Sequence, residues 1–105
     1  MCSYNAVNGV PACASKMLSD AIRGWGFEGY CGTDCSAADG IFDAHGFAND
    51  LPNAYADAIN GGTDLICNPH NMTALHTAVS TGLIKPNVLD QALRRAFGVL
   101  FRIGL

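Results

Sequence analysis

The chain has 105 residues, of which 50% are hydrophobic and 14% are charged, and this composition is typical of one modest globular domain. Its net charge of -3 and its six scattered lysines and arginines provide no basic stripe for phosphates, so we expect no nucleic acid partner. No apolar run approaches the roughly 20 residues of a membrane span, which argues against a membrane partner. The first residues, "MCSYNAVNG", turn polar too early for a signal peptide.

Three short segments, "MCSY", "GYCGTD" and "TDLIC", read as the ends of buried parallel strands. Each precedes a polar or glycine-containing loop and then an amphipathic helix pattern. The predicted strand ends at Tyr4, Asp34 and Cys67 recur about every thirty residues, which is the length of one βα unit. The sequence therefore predicts an α/β fold of about three βα units, and we expect the natural unit to be longer than this chain.

Capping and stop residues predict four amphipathic helices. They cover residues 15–24, 52–61 and 71–81 and the stretch that begins at residue 86. The second helix is expected to bury Tyr55. The fourth is expected to bury a stripe that includes Leu93 and Phe97 and to leave Arg95 in water.

Among the nine acidic residues, Asp34 alone follows a predicted strand at its carboxyl end, where α/β folds build active sites. Two interpretations follow from this position: Asp34 is functional, or it caps the next turn. Asp64 begins the last predicted strand, so we expect it at the opposite end of the sheet in a capping or pairing role. Asp39 falls in the loop after Asp34 and carries no predicted role.

Five cysteines are an odd number for a chain of this length. An oxidising compartment predicts two disulfides and one free thiol, and the cytosol predicts five thiols. The sequon that begins at Asn71 is compatible with secretion. A small zinc or thiol protein is a rival interpretation, but the spacing of the cysteines and histidines is not that of a structural zinc site, and we expect no metal. The side chains in that rival would be Cys31, Cys35, Cys67 and either His45 or His70.

Several motifs in fixed order resemble the catalytic barrel of glycoside hydrolase family 3, with closest similarity to the plant and fungal β-xylosidase branch. They are "MCSYNAVNGVPAC", "IRGWGFEGY", "TDCSA", "GGTDLIC" and "LDQALRRAFGVLFRIGL". The resemblance covers the chain essentially from end to end. It implies that residues 1–105 belong to the N-terminal barrel domain of such an enzyme, as about the last three βα units of a partial (β/α)8 TIM barrel plus a C-terminal helix.

The same resemblance implies part of a retaining, exo-acting β-glycosidase that acts on plant-wall oligosaccharides, releasing xylose or else arabinose or glucose. Asp34 would be the nucleophile, Tyr4 would donate a hydrogen bond to it and to the sugar, and no cofactor would be needed. The resemblance also implies that the acid/base carboxyl comes from a separate domain downstream of the barrel. The single glutamate of this chain, Glu28, lies at the wrong end of the predicted strand. We therefore expect the isolated chain to be inactive. The alternative to a section of a working enzyme is a truncated remnant that has no catalytic function in any context.

For the cysteines, the resemblance implies disulfides between Cys2 and Cys13 and between Cys35 and Cys67. Cys31 would then be a free, buried thiol without an assigned role. An extracellular location is implied for the longer enzyme. Thr33 stands where family members more often have serine, so the β-hydroxyl is kept.

Overall fold

A computed structural model describes all 105 residues as a mixed helix and strand structure. Two short strands come first, followed by one 3-10 helix and five α-helices, none of which is long and apolar enough to cross a membrane. The elements are β1 (Ala6–Val7), β2 (Val10–Pro11), the 3-10 helix (Ala12–Ala14), α1 (Lys16–Gly24), α2 (Gly40–Asp43), α3 (Leu51–Asn60), α4 (Met72–Ser80) and α5 (Pro86–Arg102).

Three chain segments pair side by side in parallel, and we call them the parallel strip. Cys2 bridges to Thr33 on one side of the middle segment, and Gly32 bridges to Leu65 on the other. The predicted parallel pairing is confirmed at these positions, but each pairing is a single bridge and not the longer strand that the pattern predicted. One cause is that the carbonyl of Cys31 accepts from two successive amides, those of Asp64 and Leu65, which interrupts an evenly spaced ladder.

The β1–β2 hairpin lies where the sequence predicted only a loop. Val7 pairs with Val10, and the two residues between them, Asn8 and Gly9, both have positive φ angles of 52° and 78°. Two-residue hairpin turns favour Asn-Gly because both central residues need positive φ. The signal was therefore present in the sequence, and the interpretation of this segment as a plain loop was wrong.

The four predicted helices are present as α1, α3, α4 and α5, and α2 is an additional short helix. Ser15, Asp50 and Asn71 cap α1, α3 and α4, each with a side-chain oxygen that accepts a backbone amide of the first turn. The core centres on α3, where Tyr55 is fully buried as predicted and small alanine side chains allow α2 and α4 to approach closely.

Two predictions for α5 were wrong. Leu93 and Phe97 remain 43% and 51% exposed, because α5 packs on the core through Val88, Leu89 and the buried Ala92 near its beginning. Arg95 does not simply face water: its guanidinium contacts the carboxylate of Asp64 at 3.1 Å.

Candidate active site

The backbone of Asp34 is fixed from both sides of the parallel strip. Its own amide donates to the carbonyl of Cys2 at 2.7 Å, and the amide of Thr33 just before it donates to the carbonyl of Leu65 at 2.9 Å. The buried Thr33 hydroxyl also accepts the amide of Cys67 at 2.9 Å. Asp34 therefore stands directly after the middle segment of the strip, with little freedom in its main chain.

The side chain of Asp34 is half-buried and has few partners. One carboxylate oxygen accepts the amide of Cys35 at 2.8 Å, and no lysine, arginine or histidine nitrogen lies within ion-pair distance. A carboxylate in this state retains lone pairs for an incoming electrophile. The contact with Cys35 is also of the capping kind, so the two interpretations of Asp34 are compatible.

Tyr4 lies beside Asp34. Its hydroxyl donates to the carbonyl of Cys35 at 2.8 Å. Desolvation and the neighbouring Asp34 carboxylate raise the pKa of this hydroxyl above its ordinary value. The main-chain carbonyl of Tyr4 accepts from Nε2 of His45 at 2.8 Å, which requires the tautomer that carries the proton on Nε2. The structure thus brings Tyr4 next to Asp34 and places the ring of His45 against the main chain of Tyr4.

The structure contains two disulfides, Cys2–Cys13 and Cys35–Cys67, and these are the pairs that the family resemblance implied. The first closes the hairpin region onto the strip, and the second joins the residue after Asp34 to the segment that follows Leu65. Cys31 is free and half-buried, so it is less buried than expected.

The rival metal site does not form in this geometry. Cys35 and Cys67 are joined as a disulfide, so their sulfur atoms are not thiolate donors, and no three histidine, cysteine or acidic side chains converge. His70 instead contacts the Ser36 hydroxyl through Nε2 at 2.9 Å. The chain's residues therefore do not fit a structural zinc ion.

Two other acidic residues have the structural positions that their sequence suggested. Asp64 is nearly fully buried and pairs with Arg23 at 2.8 Å and Arg95 at 3.1 Å. Glu28 is exposed and pairs with Arg102 at 3.1 Å. Asn71 is exposed at the beginning of α4, where its side-chain oxygen accepts the amide of Ala74.

Asp39 was missed by the sequence analysis. Its side chain is only 1% exposed, and one carboxylate oxygen accepts from the Tyr55 hydroxyl at 2.6 Å and from the His70 amide at 3.1 Å, while the other oxygen is buried without a partner. Burial and the hydrogen bond to Asp39 raise the pKa of Tyr55 to about 12. The Ala-Ala-Asp run ahead of α2 carried no charge pattern that distinguishes a buried aspartate from a loop residue.

Residues 1–99 match the model of the glycosyl hydrolase family 3 N terminal domain. The chain belongs to this family. Among its relatives, a probable β-D-xylosidase 6 of Arabidopsis thaliana is 43% identical over 106 residues, an alignment that covers 100% of this chain and 13% of that protein. A probable exo-1,4-β-xylosidase of Aspergillus terreus is 39% identical over 109 residues, covering 99% of this chain and 14% of the relative.

Solved structures of glycosidases have the same local fold. A GH3 exo-β-xylosidase in complex with a xylobiose aziridine activity-based probe superposes with a TM-score of 0.87 at 31% identity, over 96% of this chain and 14% of that one. A β-glucosidase involved in saponin metabolism from intestinal bacteria gives a TM-score of 0.89 at 30% identity, over 99% and 14%. This family 3 chain thus spans about one seventh of the length of the relatives it matches.

Proposed function

We propose that residues 1–105 are the nucleophile-bearing section of a longer retaining β-glycosidase of the β-xylosidase type. The observation that carries this proposal is the state of Asp34, whose main chain is fixed by two neighbouring segments while its carboxylate has no cationic partner. The names of the similar proteins, which are β-xylosidases and β-glucosidases, support a β-glycoside as the substrate. Xylosides are favoured because the curated relatives at 35–43% identity are β-xylosidases.

In this reaction a carboxylate oxygen of Asp34 attacks the anomeric carbon, and the bond from that carbon to the leaving oxygen breaks. A second carboxyl group protonates the leaving oxygen, and it later takes a proton from the water that hydrolyses the glycosyl-enzyme. The Tyr4 hydroxyl, which donates to the Cys35 carbonyl, lies beside the attacking carboxylate. As the family resemblance implies, we infer that the second carboxyl lies in another part of the enzyme; within this chain Asp39 and Asp64 are buried and Glu28 is paired with Arg102.

We also propose that the parallel strip and its helices form part of a (β/α)8 barrel, as about its last three βα units plus α5. The parallel bridges and the position of Asp34 directly after Thr33 support this, because barrel enzymes place their catalytic residues after the carboxyl ends of the strands. The exposed side chains of Leu93 and Phe97 are consistent with further packing partners.

A chimera tests the role of Asp34. Residues 1–105 would replace the matching segment of the Arabidopsis β-D-xylosidase 6 relative, and turnover of an aryl β-xyloside would be measured. We expect an active chimera, and Asp34→Asn should lower kcat by several orders of magnitude. Asp90→Asn, an exposed aspartate on α5, is the matched control. A folded chimera that keeps near-normal kcat with Asn at position 34 would remove Asp34 from the mechanism.

Labelling provides a second readout. A xylobiose aziridine is opened by a carboxylate oxygen: the new carbon–oxygen bond forms as the ring carbon–nitrogen bond breaks, and the nitrogen takes a proton. Mass spectrometry of the labelled chimera should find the modification on the peptide that contains Asp34. Label on another carboxylate would contradict the assignment. We expect negligible hydrolysis by the isolated 105-residue chain, and robust turnover there would show that the chain is self-sufficient.

We further propose that the longer enzyme is secreted and carries an N-glycan on Asn71. Two disulfides in so short a chain favour an oxidising compartment, and the Asn71 amide nitrogen has no partner because the helix cap uses the side-chain oxygen. Expression in a eukaryotic secretory host should give a mass that falls on deglycosylation. The same mass in the wild type and in Asn71→Gln would exclude the glycan.

A further inference from the structure

The residues after Asp34 form a tight turn with an unusual conformation. The turn spans residues 34–37 and is closed by the amide of Ala37, which donates to the carbonyl of Asp34 at 3.0 Å. Ser36, its third residue, has a φ of 64°. Type II turns require positive φ at this position and normally have glycine or asparagine there. A serine in this conformation needs support from its surroundings.

The peptide between Cys35 and Ser36 is held on both sides. Its carbonyl accepts from the Tyr4 hydroxyl at 2.8 Å, and its amide donates to the carbonyl of Cys67 at 3.1 Å. A change of Ser36 to the ordinary right-handed region rotates this peptide by about half a turn, which is the difference between type II and type I turns. Both hydrogen bonds would then be lost, and Tyr4 would lose its contact beside Asp34.

A chain of contacts holds Ser36 in place from the core outward. The Ser36 hydroxyl bonds to Nε2 of His70 at 2.9 Å. The main-chain amide of His70 donates to the buried carboxylate of Asp39 at 3.1 Å, and Asp39 in turn accepts from the fully buried Tyr55 hydroxyl at 2.6 Å. The left-handed residue is thus connected through two side chains to the middle of α3.

The order Asp39, His70, Ser36 also resembles a nucleophilic triad, but the distances argue against that role. Nδ1 of His70 lies 3.8 Å from the nearer Asp39 oxygen, which exceeds a hydrogen bond, and that oxygen already accepts two other donors. Asp39 therefore holds the main chain of His70 and does not orient its ring as a base.

We propose that Ser36 and His70, with Asp39 behind them, are positioning residues that fix the Cys35–Ser36 peptide so that its carbonyl holds the Tyr4 hydroxyl beside Asp34. The orientation of the peptide is a property of this chain by itself. The consequence for catalysis rests on the proposed function.

Amide hydrogen exchange in the 105-residue chain tests the orientation directly. Ser36→Ala and His70→Ala should each lower the protection factor of the residue 36 amide about fivefold, the loss expected when one supporting hydrogen bond is removed. The double variant should lower it no further than either single variant. Ser80→Ala removes a hydroxyl from the exposed end of α4 and should leave the protection unchanged. Wild-type protection in both single variants, at an unchanged melting temperature, overturns the proposal.

Kinetics in the chimera test the catalytic consequence. Ser36→Ala, His70→Ala and their double variant should all lower kcat by about tenfold, with KM within twofold, because the carboxylate and its neighbour are displaced and no substrate contact is removed. Ser36→Gly, which adopts positive φ without strain, should keep the orientation of the Cys35–Ser36 peptide and therefore lose less kcat than Ser36→Ala. An effect on KM alone, or unchanged kcat in all of these variants while Asp34→Asn is inactive, overturns the positioning role. Normal kcat in Asp34→Asn would instead refute the proposed function and leave the exchange result intact.

Discussion

Two Thr-Asp pairs, Thr33 with Asp34 and Thr63 with Asp64, lie at opposite ends of neighbouring segments of the parallel strip. Asp64 comes just before Leu65, and its side chain is only 1% exposed; its carboxylate contacts two guanidinium groups and also accepts the amide of Cys31 at 2.9 Å. Asp34 comes just after Thr33 and is half-buried, with one amide on its carboxylate and no cation.

The difference shows that one residue type occupies two contrasting environments in this chain. At the beginning of its segment, Asp64 joins α1 to α5 through Arg23 and Arg95, and its lone pairs are occupied. At the end of the strip, Asp34 has a rigid main chain and a carboxylate that is open to a ligand. Both threonines fix the chain next to them: the Thr33 hydroxyl accepts from the Cys67 amide, and the Thr63 hydroxyl donates to the carbonyl of Cys13 at 3.0 Å.

The largest expected effect is a loss of folding stability when Asp64, but not Asp34, is replaced. Asp64→Asn should lower the free energy of unfolding of the 105-residue chain by about 3–5 kcal/mol, because two partly buried arginines lose their counter-charge. Asp34→Asn should change it by less than about 0.5 kcal/mol. Urea unfolding followed by circular dichroism measures both values. Equal losses in the two variants would show that the contrast between the sites is wrong.

Asp39 sharpens the comparison, because it lies close behind Asp34 in the sequence yet its side chain is buried as that of Asp64 is. The Tyr55 hydroxyl that bonds to it has a pKa raised from 10.0 to about 12. A raised pKa in the folded state stabilises the fold fully below pH 10, and this contribution is lost as the pH rises towards 12. We expect unfolding free energy to fall by about 2–3 kcal/mol over that range.

Tyr55→Phe is the control for this pH dependence. The unfolding free energy of this variant should not show the fall between pH 10 and pH 12. The variant should also be less stable than the wild type at pH 8, because Asp39 then loses a buried donor. Parallel urea titrations at several pH values, completed quickly to limit disulfide damage, give the difference. The same alkaline slope in both proteins would exclude Tyr55 as its source.

Tyr4 should matter for turnover and little for folding, in contrast to Tyr55. Tyr4→Phe removes the hydroxyl that contacts the Cys35 carbonyl and lies beside Asp34, so kcat of the chimera should fall about tenfold. The melting temperature should stay within about 2 °C, because this tyrosine is exposed. A large loss of stability with normal kcat would assign Tyr4 to the fold.

The smallest effect concerns Asp57, a half-buried aspartate on α3 that has neither arginine partners nor a site role. Desolvation raises the pKa of its carboxyl group. The folded state therefore disfavours the charged form, and this group adds stability as the pH falls towards the ordinary carboxyl range. At pH 7, Asp57→Asn should raise the melting temperature by about 2 °C, while Asp90→Asn should leave it unchanged. A lowered melting temperature would show that the Asp57 charge is stabilising.

The helices were largely predictable, since each begins at a local signal. Ser15 and Asn71 cap their helices through contacts within one turn, and Pro86 begins α5, so neighbouring residues suffice. The exposed α5 stripe was not predictable, because an amphipathic pattern shows that a face is apolar and does not show what packs on it. The hairpin at Asn8-Gly9 was predictable from its turn residues, because Asn-Gly suits a two-residue turn in which both φ angles are positive.

For the candidate site, the sequence by itself determined that Asp34 follows a strand end and which family its motifs resemble. It also determined which cysteines are available to form disulfides. These depend on residue order and local patterns. Only the tertiary structure decided that Asp39 is buried, that Arg95 reaches Asp64, and that Ser36 takes a left-handed conformation held by His70. Those contacts join residues 31 to 34 positions apart, and no periodic pattern records a meeting that depends on how separate segments pack.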